Sequence, residues 1–158
     1  MKNFSFVVLL FSVLIVFTNC KKDCKLRPAS SEEGQILQFA AANNINATKH
    51  STGLYYEIID PGTGPKPTKA SRISITYKGT FMNGVQFEEK LTPNNTAGDP
   101  AWGLSGLIEG WQNGIPLIGQ GGRIKLIIPS SQAYGCEDYG PIPGNSVLFF
   151  DITLYDVQ

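Results

Sequence analysis

Alternating apolar and polar residues, broken by turns rich in glycine and proline, most strongly constrain how this chain can fold. Between Ser71 and Phe81 the apolar Ile73, Ile75 and Tyr77 alternate with polar residues. A period of two places the apolar side chains on one face of a β-strand. The chain has 17 glycines and 10 prolines among its 158 residues, which suits a β-rich fold with many turns better than a helical bundle.

Further strands are predicted on both sides of this segment. Residues 54–59 are β-branched and aromatic, and apolar residues alternate with others at 123–128 and 147–157. These compositions are typical of half-buried strands. The dipeptide Asn83-Gly84 is a strong signal for a tight hairpin. The chain should therefore reverse direction after the strand that ends near residue 81 and continue as a neighbouring strand.

The remaining segments predict two short helices and a loop. Ser30 and Glu33 have the spacing of a capping box, which predicts a helix near 31–43. A second short helix is expected within 107–117. Residues 91–101 are rich in proline, asparagine and glycine and are predicted to form a loop. No internal repeat or second domain is indicated.

The first 20 residues have the pattern of an export signal. Lys2 precedes an almost unbroken apolar run at 4–17, which is short for a membrane-spanning helix of about 20 residues but suits a signal peptide. Cys20 follows this run as in the lipobox of bacterial lipoproteins, although Asn19 replaces the usual small residue. We therefore predict a signal peptide at 1–19 and a lipid anchor on Cys20, with ordinary secretion or an uncleaved anchor as alternatives.

Composition excludes several classes of function. Thirteen basic and 13 acidic residues cancel, which argues against a nucleic-acid partner. The single His50 and the scattered cysteines have no metal-ligand spacing, so no metal site is predicted.

Cys24 and Cys136 lie in a chain that we expect in an oxidising envelope, where they either pair or remain free thiols. The sequence leaves both possibilities open.

Five motifs in the second half of the chain carry a resemblance to a known family. The motifs are ITYKGT at 75–80, NGVQFE at 83–88, LIEGW at 107–111, AYG at 133–135 and IPGNSVLFFDI at 142–152. In this order and spacing, the segment 53–157 resembles the FKBP-type peptidyl-prolyl cis-trans isomerases. The resemblance implies an α+β fold: a twisted antiparallel sheet of about five strands wrapped around one short helix near 108–115, with the N-terminal helix as an addition.

The resemblance also implies a shallow apolar pocket between the sheet and the helix. Trp111 would form its floor, Tyr134 would offer a hydroxyl at its mouth, and the Ile108 N–H would bind a peptide carbonyl. The implied catalytic residues are Tyr77, Phe87, Glu88, Trp111, Tyr134 and Phe150, and the implied substrate-binding residues are Trp102, Leu107, Ile108 and Ile142.

Two positions depart from the family pattern. Glu88 stands where the family has aspartate, one methylene shorter, and Pro100 stands where an aromatic residue is expected. These changes predict lower activity or altered affinity for macrolide inhibitors. They are also the features that distinguish the alternative function, a non-catalytic proline-peptide binding module or chaperone anchored in the cell envelope, because a binder could diverge at these positions without losing the fold.

The function implied by the resemblance is acceleration of X–Pro bond rotation in exported proteins, with no cofactor. The expected partners are proline-containing polypeptides, macrolide inhibitors and a membrane reached through the lipid anchor. We expect residues 20–30 to be a lipidated tether, 31–52 the N-terminal helix and linker, and 53–158 the isomerase domain. The helix is too short for a dimer stalk, so a monomer is expected. Lys21 after Cys20 favours the outer membrane within the bacterial cell envelope, since inner-membrane retention in enteric bacteria uses aspartate there.

Overall fold

An antiparallel sheet forms the body of the computed structural model, which describes residues 24–158. The strands are β1 Thr48–Lys49, β2 Tyr55–Asp60, β3 Arg72–Phe81, β4 Gln86–Lys90, β5 Trp102–Gly103, β6 Arg123–Ile128 and β7 Leu148–Val157. Their order in the sheet is β1-β2-β6-β7-β3-β4, and β5 pairs separately with β3. The helices are α1 Glu33–Ala42 and α2 Glu109–Gly114, each extended by a 3-10 turn, at Ala29–Glu32 and Ile115–Leu117 respectively.

The five longer strands confirm the predicted sheet, whereas the two-residue strands β1 and β5 were not predicted. Each of these short strands exists because tertiary folding brings two residues beside a longer strand: Thr48 opposite Tyr56, and Trp102 opposite Ile73. Two residues carry no periodicity, so local sequence patterns cannot detect them. β5 directly follows the predicted loop at 91–101.

The main core lies between the sheet and α2. Its apolar side chains come from alternate positions of the strands, as the sequence predicted; β6 contributes Ile124, Leu126 and Ile128, which are all fully buried. Gly110 lets α2 approach the sheet closely, since a Cβ there would lie 2.4 Å from Cγ2 of Ile128. The helix backbone therefore rests almost directly on β6.

A second, smaller core covers the opposite face of the sheet. Ile36 and Ala40 of α1 pack there with Tyr55 and Ile127, which point away from α2 because neighbouring strand residues alternate in direction. The predicted N-terminal helix thus packs back on its own chain.

The start of α1 differs from the predicted capping box. Its N-cap is Glu32, and no side chain caps the helix. The Ser31 hydroxyl instead donates to the Pro28 carbonyl at 2.7 Å, because the chain enters α1 through a 3-10 turn. Glu33 accepts hydrogen bonds from Lys49 at 2.9 and 3.0 Å and from the Tyr55 hydroxyl. Long-range partners therefore replace the local cap.

Cys24 and Cys136 form a disulfide, which is one of the two possibilities that the sequence left open. The two Cα atoms are 5.2 Å apart, although the residues are separated by 112 positions.

The predicted signal peptide at 1–19 and the lipidated Cys20 lie outside the described residues. Within residues 24–158, no helix has the length and apolar character needed to cross a bilayer.

We expect the Cys24→Ser/Cys136→Ser double variant to lower the free energy of unfolding by about 2–4 kcal/mol, because a cross-link between distant residues restricts the unfolded chain. Denaturant unfolding of the full chain measures the difference. Reductant should reproduce the loss in the unchanged protein and leave the double variant unaffected. Equal unfolding midpoints for the two oxidised proteins would contradict the expectation.

Candidate active site

A cleft of about 370 Å³ opens between α2, the neighbouring strands β3 and β7, and the loop that precedes β7. Most of the side chains around it are aromatic or aliphatic, and one is acidic. The lining residues are Tyr77, Glu88, Trp102, Leu107, Ile108, Trp111, Tyr134, Tyr139 and Phe150.

The floor of the cleft is a group of three aromatic rings packed edge to face. Trp111 of α2 is only 4% exposed, and its ring centroid lies 5.0 Å from Tyr77 and 5.1 Å from Phe150, at angles of 78° and 82°. Edge-to-face contacts of this kind are favoured by the aromatic quadrupole. The group forms because α2 presses Trp111 against two strands that lie side by side in the sheet.

The pairing of β3 with β7 sets the positions of Tyr77 and Phe150. Phe150 stands opposite Gly79, and Tyr77 stands opposite Ile152, so both aromatic side chains point to the α2 face. A Cβ on Gly79 would lie 2.6 Å from the Phe87 ring and 3.0 Å from the Phe150 ring. Glycine is therefore required for these rings to meet above the strand.

The loop at 91–101 is anchored by a buried amide that the sequence did not reveal. Asn94 is fully buried; its Oδ1 accepts from the Ile75 N–H at 2.8 Å, and its Nδ2 donates to the carbonyls of Ile73 and Pro100 at 3.1 and 3.3 Å. The anchor lies at a register shift of β3, where Ser74 is buried despite its place in the polar alternation.

The anchored loop delivers Trp102 to the rim of the cleft. Its ring lies 6.3 Å from that of Tyr77. The Lys90 ammonium lies 5.5 Å from the Trp102 ring centroid and also pairs with Asp99. A cation over an aromatic face is attracted to it, which helps to hold the indole in place.

The turn into α2 presents a free hydrogen-bond donor at the cleft. Ile108 is the N-cap, and its carbonyl accepts from the N–H groups of Trp111 and Gln112 at 2.9 and 3.2 Å. No acceptor among residues 24–158 binds the N–H of Ile108. The Gln112 side chain donates to the carbonyls of Leu107 and Ser105 at 2.7 and 3.2 Å, which fixes the backbone that leads to this donor.

Two stacked tyrosines form the other side of the mouth. The rings of Tyr134 and Tyr139 lie 4.3 Å apart and nearly parallel, at 10°. Tyr139 is 61% exposed, and its backbone N–H and carbonyl are paired with those of Ile142 at 2.8 and 2.9 Å. Sequence reasoning missed Tyr139, since an aromatic residue in an irregular loop belongs to no periodic pattern.

Eight of the ten residues that the resemblance implied line the cleft, and two do not. Phe87 is half-buried, with its ring 5.6 Å from Phe150 and 5.0 Å from Phe81. Ile142 is buried in the core, and its backbone pairs with that of Tyr139. Both residues lie next to residues that line the cleft, and their roles in catalysis and substrate binding stay predictions.

Tyr77 and Tyr134 hold their phenolic protons more tightly than a free tyrosine does. Burial, followed by the charge of the nearby Glu88 carboxylate, raises the pKa of Tyr77 well above its usual range. Burial also raises the pKa of Tyr134, with smaller effects from Tyr139 and Glu88. Both hydroxyl groups therefore stay protonated into alkaline pH, beyond the range of a free tyrosine, and can donate hydrogen bonds.

The arrangement of fold and cleft agrees with the comparisons with known proteins. The model of the FKBP-type peptidyl-prolyl cis-trans isomerases matches residues 64–155. The FKBP-type isomerase FkpA of Escherichia coli K12 is 40% identical over 122 residues, which are 77% of this chain and 43% of FkpA. Outer membrane protein MIP of Legionella longbeachae is 37% identical over 109 residues, 68% of this chain and 45% of MIP.

Solved structures show the same fold. The crystal structure of Escherichia coli FkpA aligns with a TM-score of 0.68 at 34% identity and covers 83% of this chain and 61% of that structure. An isomerase from Pseudomonas syringae aligns with a TM-score of 0.67 at 27% identity, covering 85% and 98%. The chain belongs to the FKBP-type peptidyl-prolyl cis-trans isomerase family, and it spans less than half the length of FkpA and MIP.

We expect the stability of the chain to fall as the pH rises above about 10, where an unfolded tyrosine ionises. The folded state holds the Tyr77 proton more tightly because the pKa of Tyr77 is raised. The unfolded state then binds fewer protons than the folded state, so the free energy of unfolding decreases with pH. Tyr77→Phe should lessen that decrease in denaturant unfolding between pH 9 and 11.

Tyr155→Phe is the control for this titration, since it removes a phenol from an exposed position on β7. The expectation is wrong if Tyr77→Phe loses stability with pH as steeply as the unchanged protein.

Proposed function

We propose that this chain is an active peptidyl-prolyl cis-trans isomerase that acts on X–Pro bonds of exported proteins. The observation that carries the proposal is the apolar cleft in which Trp111, Tyr77 and Phe150 meet edge to face, built on the motifs of the isomerase family. A proline ring is an apolar, compact group that suits such an aromatic floor.

An apolar cleft lowers the barrier to amide rotation through desolvation. Resonance in the planar peptide bond separates charge between oxygen and nitrogen and raises a rotation barrier of about 18–20 kcal/mol. The twisted transition state loses this resonance and is less polar than the planar ground state. Moving the bond from water into a dry, aromatic site therefore disfavours the ground state more than the transition state. Rotation breaks no covalent bond, so no nucleophile or proton transfer is needed.

The polar groups at the edge of the cleft orient the peptide. The N–H of Ile108 has no acceptor among the described residues and belongs to a lining residue at the N-terminal turn of α2, where it can bind a carbonyl of the substrate backbone. The Tyr134 hydroxyl, kept protonated, can donate a second hydrogen bond from the opposite side. Together they hold the chain on either side of the proline while the X–Pro bond turns.

The cellular setting that we propose is the bacterial envelope, with the chain lipidated on Cys20 and monomeric. Three observations support it: the apolar N-terminal run that ends at Cys20, the Cys24–Cys136 disulfide, which needs an oxidising compartment, and the likeness to an outer membrane protein. Mass spectrometry of the membrane-extracted chain tests the anchor, since Cys20→Ser should abolish the mass of the acyl groups.

We expect Trp111→Ala to reduce kcat/KM toward a proline peptide by roughly tenfold or more, because it removes the floor that holds the proline. Isomerisation by the purified full chain, compared across peptides with different residues before proline, measures the rate. Trp111→Leu keeps an apolar side chain and guards against loss of the fold; it should also be impaired. Tyr155→Ala, at an exposed aromatic outside the cleft, is the matched control.

A folded but inactive unchanged chain would overturn the catalytic proposal and favour the proline-peptide binding module.

A separate expectation concerns Glu88, which lines the cleft from β4 opposite Gly79. Its side chain is one methylene longer than the aspartate of the family pattern, so its carboxylate is displaced relative to Tyr77 and Tyr134. We expect Glu88→Asp to raise kcat/KM by about twofold or more, as better placement of a polar group strengthens transition-state contacts. Glu89→Asp, on the neighbouring exposed position, should have no effect. Unchanged catalysis in Glu88→Asp would refute the displacement.

A further inference from the structure

The segment 24–53 lies outside the part of the chain that matches the family model, yet it contacts the loop that carries Tyr134. Its most unusual feature is Glu32, a carboxylate that is only 2% exposed. No cation lies within 4.0 Å of it among the described residues. Burying a carboxylate is unfavourable unless hydrogen bonds replace those it made to water. The hydrogen-bond partners of Glu32 therefore show which part of the structure depends on it.

Both oxygens of Glu32 bind one residue, Ser130. Oε2 accepts from the Ser130 N–H and Oε1 accepts from the Ser130 hydroxyl, each at 2.7 Å. The two residues are 98 positions apart in the chain. A two-point contact of this kind fixes both the position and the orientation of the Ser130 backbone.

Ser130 in turn holds the two neighbours of Tyr134. Its carbonyl accepts from the N–H of Ala133 at 3.1 Å and from the N–H of Gly135 at 2.9 Å. The backbone N–H groups of the residues before and after Tyr134 are therefore both bonded to Ser130, the residue that Glu32 binds. Displacement of Ser130 would move Tyr134, and with it the ring of Tyr139 stacked on it.

Other contacts tie the same loop to the same segment. Cys24 is disulfide-bonded to Cys136, the Leu26 side chain lies against Gly135, and the Gln132 amide donates to the Thr52 carbonyl at 2.8 Å. These contacts reach the loop on both sides of Tyr134.

We propose that Glu32 is a positioning residue for catalysis, which holds the Tyr134–Tyr139 side of the cleft through Ser130. This role rests on the proposed isomerase function and deepens it: a segment outside the family match shapes the site. Loss of Glu32 leaves the Ser130 N–H and hydroxyl without their acceptor and so also costs stability; the control variants, the double-mutant cycle and hydrogen exchange separate positioning from that loss.

The test compares three variants of the full chain. Glu32→Ala should lower kcat/KM by roughly threefold to tenfold through misplacement of the tyrosines. Glu32→Gln should stay within about twofold, because its amide can accept from the Ser130 N–H and donate to the Ser130 hydroxyl. Glu33→Ala, which loses contacts to Lys49 and Tyr55 but none to the loop, is the matched control and should retain activity.

A double-mutant cycle with Tyr134→Phe distinguishes positioning from general destabilisation. If Glu32 acts through Tyr134, Glu32→Ala should cost little more in the Tyr134→Phe background, whereas independent effects would multiply. Full multiplication would overturn the proposal.

Hydrogen exchange supplies a readout that does not depend on activity. The amides of Ala133 and Gly135 should exchange at least about tenfold faster in Glu32→Ala and at the unchanged rate in Glu33→Ala. Ser130→Ala leaves the backbone hydrogen bond to Glu32 intact, so it should increase the exchange rates of these amides by a smaller factor. This variant replaces Glu32→Ala in the measurement if Glu32→Ala does not fold. Unchanged exchange in these variants would overturn the role of Glu32. Inactivity of the unchanged chain with faster exchange in Glu32→Ala would instead overturn the proposed function alone.

Discussion

The pairing of β3 with β7 over nine residue pairs carries the aromatic wall on which the cleft depends. It places Phe150 opposite Gly79 and Tyr77 opposite Ile152, so that both rings face α2. A slip of one residue would turn one of these strands over and remove its ring from the cleft. Gly110 completes the arrangement, since the absence of its Cβ lets α2 press Trp111 against the two rings.

The cleft combines a dry floor with a polar edge, and the two come from different kinds of structure. The floor consists of regular strands and a helix, whose packing excludes water from Trp111 and Phe150. The edge consists of backbone and loop groups: the N–H of Ile108, the hydroxyl of Tyr134 and the carboxylate of Glu88. A rigid apolar floor suits a reaction whose transition state is less polar than its ground state. Polar groups at the edge can bind the peptide backbone without bringing water into contact with the X–Pro bond that rotates.

Much of the fold could be predicted because its signals are local. The alternation at Ile73, Ile75 and Tyr77 and the Asn83-Gly84 turn identified β3 and its hairpin, and the motif around Trp111 identified α2. The predicted capping box does not form, because the Glu33 carboxylate accepts hydrogen bonds from the distant Lys49 and Tyr55 instead of from the backbone at the start of the helix. A motif also names a residue without giving its surroundings: Phe87 and Ile142 lie next to the lining residues Phe150 and Tyr139, and their roles at the site stay predictions.

The sequence by itself determined the five longer strands, the two helices, the apolar residues of the core and the family to which the chain is similar, because periodicity and motif spacing are properties of neighbouring residues. Only the tertiary structure decided that Asn94 anchors the loop before Trp102, that Tyr139 stacks on Tyr134, that Cys24 pairs with Cys136 and that Glu32 grips Ser130. Each of these contacts joins residues from an irregular or distant part of the chain, and two of them, those of Asn94 and Glu32, bury a polar group whose partners come together only in the completed fold. Such groups are stable only once their partners are in place, so no local pattern records them.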